Sequence, residues 1–305
     1  MNLIVRDFRP ADGEATAEVL RAAIPYLLTT PESMAWDTAN APAAQRRRLL
    51  VAELDGEVVG RAQIGLAHDS PVPGRSFVNV YVHPDRRGRG AGSLLVRTAE
   101  EYLSGLGATT AYSWVLDEPA NRAYAERRGY RPGSPAHFLR LGLTGAALPP
   151  LAELPPGVEL RTVASYADDP RPLFEADAEA VADEPSDVGA ELTDHDQWVR
   201  HTFGNPLLDR ELSTVVVADG EVAAFTFVET DGRTRLSSGG TGTRRAHRGR
   251  GLAKLAKNHS LHRARAAGYT EAFTGNDAGN EPMLAINKWF GYEVCATEVR
   301  CVREF

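Results

Sequence analysis

The feature that most constrains the fold is an internal duplication. The loop pattern Arg-x-x-Gly-x-Gly/Ala occurs twice, beginning at Arg87 and at Arg248, which are 161 residues apart. Gly90 and Gly251 repeat the same spacing. A fixed internal period indicates two copies of one structural unit. The 305 residues are enough for two domains of ordinary size.

Each copy has the same order of predicted elements. A strand and a helix start precede two strands around an Asp-Gly turn, at 55–56 in the first copy and 219–220 in the second. Asp-Gly between apolar runs is a strong hairpin signal. A third strand enters the Arg/Gly loop, and a helix, a strand, a helix and a last strand follow. This order predicts an α/β fold with a mixed sheet in each of two tandem domains, flanked by helices.

The boundary between the copies is predicted at 144–157. This segment holds four prolines and two glycines and lacks the alternation of a strand, so it is typical of a semi-rigid linker. We therefore expect an N-terminal domain over 1–143 and a C-terminal domain over 158–305.

Composition excludes several classes of protein. Two cysteines cannot form a disulfide framework, and no uncharged apolar run approaches the roughly 18 residues of a membrane span. The N-terminus lacks the apolar core of a signal peptide. A net charge of −7 argues against nucleic acid as the main partner. We expect a cytoplasmic protein, a monomer or homodimer, with no nucleic acid, membrane or metal partner.

The repeated Arg/Gly loop is the strongest functional signal. Each copy lies between a predicted strand and a predicted helix. Glycines let backbone N–H groups approach a ligand, and a helix N-terminus adds a positive dipole end, so the loop can hold a pyrophosphate. A Gly-rich turn that merely starts a helix is the alternative, and two copies in matched context weigh against it. The Walker P-loop and dinucleotide-binding spacings are absent.

Three segments resemble the Gcn5-related N-acetyltransferases. Residues 80–92 and 241–253 are similar to the family's acetyl-CoA-binding motif, and 276–292 is similar to its second motif in tandem actinobacterial members. The tandem layout resembles that of mycothiol synthases. The resemblance covers both copies. It implies acetyl-CoA as co-substrate, two mixed and mostly antiparallel sheets, and direct attack of an amine on the thioester without an acyl-enzyme intermediate.

The resemblance also implies a set of cofactor-binding residues. Strand ends would hold the thioester and polarise its carbonyl, the loops would wrap the pyrophosphate, and one asparagine in each copy would open the last helix beside the cofactor. In the first copy these are Val80, Tyr81, Val82, Arg87, Gly88, Arg89, Gly90, Ala91, Gly92, Ser93 and Asn121. In the second they are Thr241, Gly242, Thr243, Arg248, Gly249, Arg250, Gly251, Leu252, Ala253, Lys254 and Asn280.

The family's general-acid tyrosine is missing from both copies. Four residues before the Gly-aromatic pair, where many members carry it, this sequence has Ala125 and Asn287. Tyr124 is adjacent to the first position, but one helical step turns it by about 100°. Asn287 could donate a hydrogen bond to sulfur; bonding to the neighbouring backbone is its alternative.

The acceptor is indicated by an acidic segment of the second copy. Residues 174–199 contain no Lys or Arg and hold Glu175, Asp177, Glu179, Asp183, Glu184, Asp187, Glu191, Asp194 and Asp196. Carboxylates that line a cleft concentrate cations and can deprotonate an ammonium group. Glu184 is our candidate for orienting or deprotonating the amine. A solvated acidic helix face is the alternative.

These patterns predict an acetyl-CoA-dependent N-acetyltransferase. Its acceptor would be the primary amine of a small molecule, cationic if the acidic segment lines the cleft, and the second copy would carry the main reaction. Two alternatives stay open, a non-catalytic acyl-CoA-binding regulatory module and a protein N-acetyltransferase.

Overall fold

The computed structural model describes residues 2–68, 70, 72–184 and 191–305, so the predicted acidic residue Asp187 lies outside them. The chain divides into two compact units. Unit 1 consists of Met1–Ala136 and Ala296–Phe305, and unit 2 is His137–Cys295.

The helices and strands follow the predicted order in both copies. The first copy contains β1 (Leu3–Asp7), α1 (Gly13–Ala23), α2 (Pro31–Asn40), β2 (Arg48–Leu54), β3 (Glu57–Leu66), β4 (Arg75–Val82), α3 (Ala91–Gly105), β5 (Thr110–Leu116), α4 (Pro119–Glu126) and β6 (Arg131–Gly142). The second contains β7 (Val158–Thr162), α5 (Arg171–Ala182), α6 (His195–Trp198), β8 (Thr214–Ala218), β9 (Glu221–Thr230), β10 (Arg235–Thr243), α7 (Leu252–Ala266), β11 (Glu271–Asp277), α8 (Glu281–Trp289) and β12 (Glu293–Glu304).

Each unit has a mixed, mostly antiparallel sheet, which confirms the predicted fold class. In unit 1 the strand order is β1-β2-β3-β4-β5-β12, and in unit 2 it is β6-β11-β10-β9-β8-β7. The β4–β5 pair and the β10–β11 pair are parallel. Both predicted hairpins form, with Asp55 and Gly56 at φ +50° and +88° and Asp219 and Gly220 at +54° and +86°. Two consecutive left-handed residues give the turn whose twist suits a two-residue hairpin.

The compact units differ from the predicted ranges because the last strands are exchanged. β12 pairs with β5, and its Val299 and Cys301 are buried in the core of unit 1. Leu139 and Leu141 of β6 are buried in the core of unit 2. Local sequence predicts a strand at both places, but it does not say which sheet each strand joins. The boundary therefore falls within β6, and residues 296–305 belong to unit 1.

The segment 144–157, predicted as a linker between the domains, contains no helix or strand and packs on α7 within unit 2. Asn258 Nδ2 donates to the Pro149 carbonyl at 3.1 Å, and His262 Nε2 lies 2.9 Å from the same oxygen. Arg265 Nη1 donates to the carbonyl of Ala146 at 3.1 Å. These bonds hold the segment against α7.

The parallel pair of each sheet opens towards its carboxyl end. β4 and β5 are in register only from Arg75–Thr110 to Phe77–Tyr112, although both strands continue beyond. β10 and β11 separate in the same way after Ser237–Phe273. The result in each unit is a gap between two strand ends, directly before the Arg/Gly loop.

Candidate active site

The Arg/Gly loop of unit 1 has the backbone of an anion cradle. Gly88 and Gly90 have φ values of +77° and +90°, a region that favours glycine. Gly90 is the N-cap of α3 and provides no side-chain cap, so the first N–H groups of the helix are left for a ligand. A Cβ on Gly88 would meet nothing within 4 Å, so the loop's outer face is open.

The loop of unit 2 has the same geometry. Gly249 and Gly251 have φ values of +76° and +75°, and Gly251 is the uncapped N-cap of α7. A Cβ at either position would meet nothing within 4 Å. The two loops therefore share the same backbone conformation. This is expected if each loop binds a pyrophosphate.

A cavity of about 730 Å³ lies between the strand ends and the loop of unit 1. All but one of the cofactor-binding residues predicted for the first copy line it: Val80, Tyr81, Val82, Arg87, Gly88, Gly90, Ala91, Gly92, Ser93 and Asn121. Arg89 is exposed and is not part of this lining. The strand gap and the loop are thus parts of one pocket.

Tyr124 and Glu298 are among the other residues that line this cavity. The hydroxyl of Tyr124 is buried without a hydrogen-bond partner among the described residues, 3.6 Å from where a Cβ on Gly92 would lie. The helical step that separates it from Ala125 therefore does not turn it away from the cradle. Glu298 is 2% exposed and accepts a 2.8 Å hydrogen bond from Tyr26 Oη. Burial raises the pKa of Glu298 despite that bond.

Glu298 was not predicted as a site residue because β12 lies in the second copy by sequence but in unit 1 by contact. Its partner Tyr26 belongs to the first copy and is 5% exposed. No local signal in the sequence could join two residues 272 positions apart.

Unit 2 has the corresponding cavity, of about 780 Å³. It is lined by Thr241, Gly242, Thr243, Arg248, Gly249, Gly251, Leu252, Ala253, Lys254 and Asn280, and also by Glu184 and Asp177 of the acidic segment. Arg250 is exposed, is not part of the lining, and lies 3.0 Å from His247 Nδ1. Asn280 caps α8, since its side chain accepts from the N–H of Met283.

Asp177 and Glu184 are the cavity carboxylates with raised pKa values. Asp177 is 9% exposed, and burial raises its pKa to about 6, although Trp198 Nε1 donates to it at 2.7 Å and lowers the pKa. Glu184 is more exposed; partial burial of its carboxyl group and the charge of Asp277 raise its pKa. A carboxylate with a raised pKa is a better proton acceptor near neutral pH.

Two other carboxylates of the acidic segment serve the Arg/Gly loop. Asp183 forms ion pairs with Arg245, at 2.7 Å, and with Arg248. These hydrogen bonds lower the pKa of Asp183 to about 2. Glu179 pairs with Arg244 at 3.4 Å and accepts from the backbone of Arg245. The acidic segment is therefore neither wholly a solvated helix face nor wholly a lining of the acceptor cleft.

The structure does not support the predicted hydrogen bond from Asn287 to sulfur. Asn287 is fully buried, and the lining of the cavity does not include it. Its Oδ1 accepts from Lys257 Nζ at 2.6 Å, and its Nδ2 donates to Asn276 Oδ1 at 2.6 Å. Both ends of the amide are thus occupied by side chains, and neither bonds the neighbouring backbone.

The described residues contain no helix that is long and apolar enough to cross a membrane. Within the same residues, no group of three or more His, Cys, Asp or Glu side chains is arranged to hold a metal ion.

Comparison with known sequences points to one family. The model of the acetyltransferase (GNAT) family matches residues 17–130 and 174–292. A mycothiol acetyltransferase of Nocardia farcinica is 33% identical over 288 residues, which cover 89% of this chain and 90% of the relative. A mycothiol acetyltransferase of Nocardioides sp. is 26% identical over 230 residues, covering 70% of this chain and 76% of the relative.

Solved structures share the fold over nearly the whole chain. A tandem GNAT protein from the clavulanic acid biosynthesis pathway superposes with a TM-score of 0.73 at 22% identity, covering 99% of this chain and 98% of that one. A GCN5-related N-acetyltransferase from Sphaerobacter thermophilus gives 0.70 at 23% identity, covering 99% and 95%.

The family model matches twice, once in each copy, and each match includes an Arg/Gly loop with its strand gap. The duplicated cradle, the matching fold and the sequence relatives agree. The chain belongs to the acetyltransferase (GNAT) family, as a tandem member that transfers an acetyl group from acetyl-CoA to an amine.

Proposed function

We propose that unit 2 carries the main reaction and that its acceptor is the primary amine of a small, cationic molecule. One observation carries this proposal: a single cavity of about 780 Å³ brings the strand end, the cradle and the two carboxylates with raised pKa values together. The cradle would hold the pyrophosphate of acetyl-CoA, and the carboxylates would hold the ammonium group of the acceptor.

The reaction needs orientation, charge stabilisation and one proton acceptor. Glu184 or Asp177 takes a proton from the ammonium group, and the free amine attacks the carbonyl carbon of the thioester. A C–N bond forms and the C–S bond breaks. Coenzyme A leaves as the thiolate, and the second proton that the attacking nitrogen must lose passes to this thiolate. Backbone N–H groups at 241–243, which line the cavity, would stabilise the negative charge on oxygen.

The relatives favour a small-molecule acceptor over a protein N-terminus. The two reported ones are named mycothiol acetyltransferases, and the first aligns with 89% of this chain. We therefore propose an amine of the mycothiol type or size. The predicted cytoplasmic location, the monomeric or homodimeric state and the expected absence of nucleic acid, membrane and metal partners stay predictions.

Unit 1 offers a second candidate for the reaction. Its cavity combines a matching cradle with the unbonded hydroxyl of Tyr124 and the buried carboxylate of Glu298. A tyrosine could give a proton to the departing thiolate, and a glutamate with a raised pKa could take one from the amine. We propose that unit 1 binds coenzyme A in either case.

Glutamate substitutions in the two cradles distinguish the units. Gly90→Glu and Gly251→Glu each place a side chain at a left-handed residue, which costs about 1–2 kcal/mol locally, and add negative charge beside the pyrophosphate. Calorimetry should count two coenzyme A molecules per chain for the intact protein and one for each variant. In a thiol-release assay with a panel of amines, Gly251→Glu should lose more than about 90% of turnover, whereas Gly90→Glu should keep most of it.

Two glycines provide matched controls. Gly105, on α3, and Gly145, in the linker segment, have no atoms within 4 Å of an added Cβ and no left-handed backbone. Glu at either position should leave both sites and turnover unchanged. If Gly90→Glu abolishes turnover and Gly251→Glu spares it, the reaction belongs to unit 1. A single binding site in the intact protein would contradict the claim of two cradles.

A further inference from the structure

Three positions around the two cavities differ together between the units. Lys257 lies six residues after the N-cap glycine of α7, and Val96 lies six residues after that of α3. Asn287 and Ala125 both lie four residues before the Gly-Tyr pair. The sixth residue of β11 is Asn276, and the sixth residue of the corresponding strand β5 is Val115. Unit 1 thus has Val96, Ala125 and Val115, which line its cavity, where unit 2 has a lysine and two asparagines.

The three polar residues of unit 2 form one hydrogen-bonded chain. Lys257 is fully buried, and its Nζ donates to Asn287 Oδ1 at 2.6 Å while lying 4.9 Å from the centre of the Tyr292 ring. Asn287 Nδ2 donates to Asn276 Oδ1 at 2.6 Å. Asn276 is 9% exposed and lines the cavity. The chain therefore runs from a buried amine to the wall of the proposed reaction site.

Lys257, at the buried end, sets the direction of hydrogen-bond donation along these three side chains. A side-chain amide can present either its oxygen or its NH₂ group, but an ammonium group only donates. Lys257 therefore requires Asn287 Oδ1 to face it, Asn287 then donates from Nδ2, and Asn276 must accept through Oδ1. This leaves the Nδ2 group of Asn276 for the cavity. Burial lowers the pKa of Lys257 to about 7, so the ammonium form prevails below neutral pH.

Burying a lysine is costly, and apolar residues fill the same three positions in unit 1. Packing alone therefore does not require the polar set. We propose that Lys257 is a positioning residue of unit 2, which through Asn287 holds the Asn276 amide with its N–H towards the reacting thioester. Asn276 donates to the carbonyl oxygen of acetyl-CoA as that oxygen gains charge. This inference rests on the proposal that unit 2 carries the reaction.

Asn276→Asp is the sharpest test. The carboxylate has the size of the amide and still accepts from Asn287 Nδ2, but it cannot donate into the cavity. Loss of one donor to a developing oxyanion typically lowers kcat by about 100- to 1000-fold. We expect kcat to fall by about 100-fold while the KM for acetyl-CoA changes by less than about threefold. Lys257→Met should lower kcat by about tenfold with the same unchanged KM.

Two further variants keep the test decisive. Lys288→Met is the control, since this lysine is exposed on α8 beside Asn287, and it should keep the kcat of the intact protein. The triple variant Lys257→Val, Asn276→Val, Asn287→Ala copies the apolar set of unit 1. It should fold, bind two coenzyme A molecules and lose turnover. It replaces Asn276→Asp as the test if that variant does not fold.

The outcomes separate this inference from the proposal beneath it. If Gly251→Glu abolishes turnover but Asn276→Asp or the folded triple variant keeps its kcat, the positioning role is wrong and unit 2 remains the reacting unit. If Gly90→Glu abolishes turnover instead, both ideas fail together. A fall in kcat at constant KM for Asn276→Asp and Lys257→Met, with Lys288→Met unaffected, supports the role.

Discussion

Replacing Asp177 by asparagine should make unit 2 more stable and less active. Asp177 is 9% exposed on α5, with Trp198 Nε1 donating to one carboxylate oxygen at 2.7 Å. Asparagine keeps the size of the side chain and can still accept that bond through Oδ1. It removes a charge that burial disfavours. The substitution therefore isolates the energy of the charge from the energy of packing.

The magnitude follows from the raised pKa. Asp177 has a pKa of about 6 in the folded protein, against about 3.9 for aspartate in an unfolded chain. Each unit corresponds to about 1.4 kcal/mol, so the ionised carboxylate costs up to about 3 kcal/mol. Between pH 4 and 6 the folded state holds the proton while the unfolded state has released it, so the free energy of unfolding falls as pH rises through this window. Above pH 6 the full cost applies.

Unfolding by urea at a series of pH values measures this cost. We expect Asp177→Asn to raise the free energy of unfolding of unit 2 by about 1–3 kcal/mol at pH 8 and by nothing near pH 4. Glu175→Gln, at an exposed position on the same helix, should change it at neither pH. Turnover of a cationic amine should fall in Asp177→Asn. An equal loss of stability at both pH values would show that the carboxylate is structural and that its charge carries no cost.

Two further predictions concern ion pairs and buried hydrogen bonds. Asp183→Asn should free Arg245 and Arg248 for the pyrophosphate and tighten coenzyme A binding at unit 2 by about two- to fivefold, an effect that salt reduces; calorimetry showing weaker binding would contradict this. Tyr26→Phe should destabilise unit 1 by about 1–3 kcal/mol in thermal unfolding, because Glu298 loses its partner, and adding Glu298→Gln should restore part of that loss. No recovery in the double variant would show that the hydroxyl matters elsewhere.

Much of the fold could be predicted because its signals are local. Asp55-Gly56 and Asp219-Gly220 form the expected hairpins since their left-handed residues suit a tight turn whatever surrounds them. The glycines before α3 and α7 are equally local. The exchange of β6 and β12 could not be predicted, because alternating apolar residues predict a strand but do not show which strand it pairs with.

The residues of the candidate site also fall into two groups, those that local sequence predicts and those that only the tertiary structure brings together. The cradle residues were predicted from one contiguous pattern, and most of them line the two cavities. The groups that bear on proton transfer and orientation come together only through tertiary structure. Glu298 reaches unit 1 through strand exchange, and Lys257 meets Asn276 only through α8. A lysine in a sequence gives no sign of full burial, and most lysines are exposed.

The exchanged strand also bears on how the protein can be synthesised. Unit 1 takes its final strand and its buried glutamate from residues 296–305, so its sheet cannot close while the ribosome is still translating the second copy. Until then β5 presents an unpaired edge, which is the kind of surface on which nascent chains aggregate. A gene fragment that stops at residue 143 would encode the first cradle with an open sheet and without Glu298. The first copy expressed alone would therefore lack a strand of its own sheet.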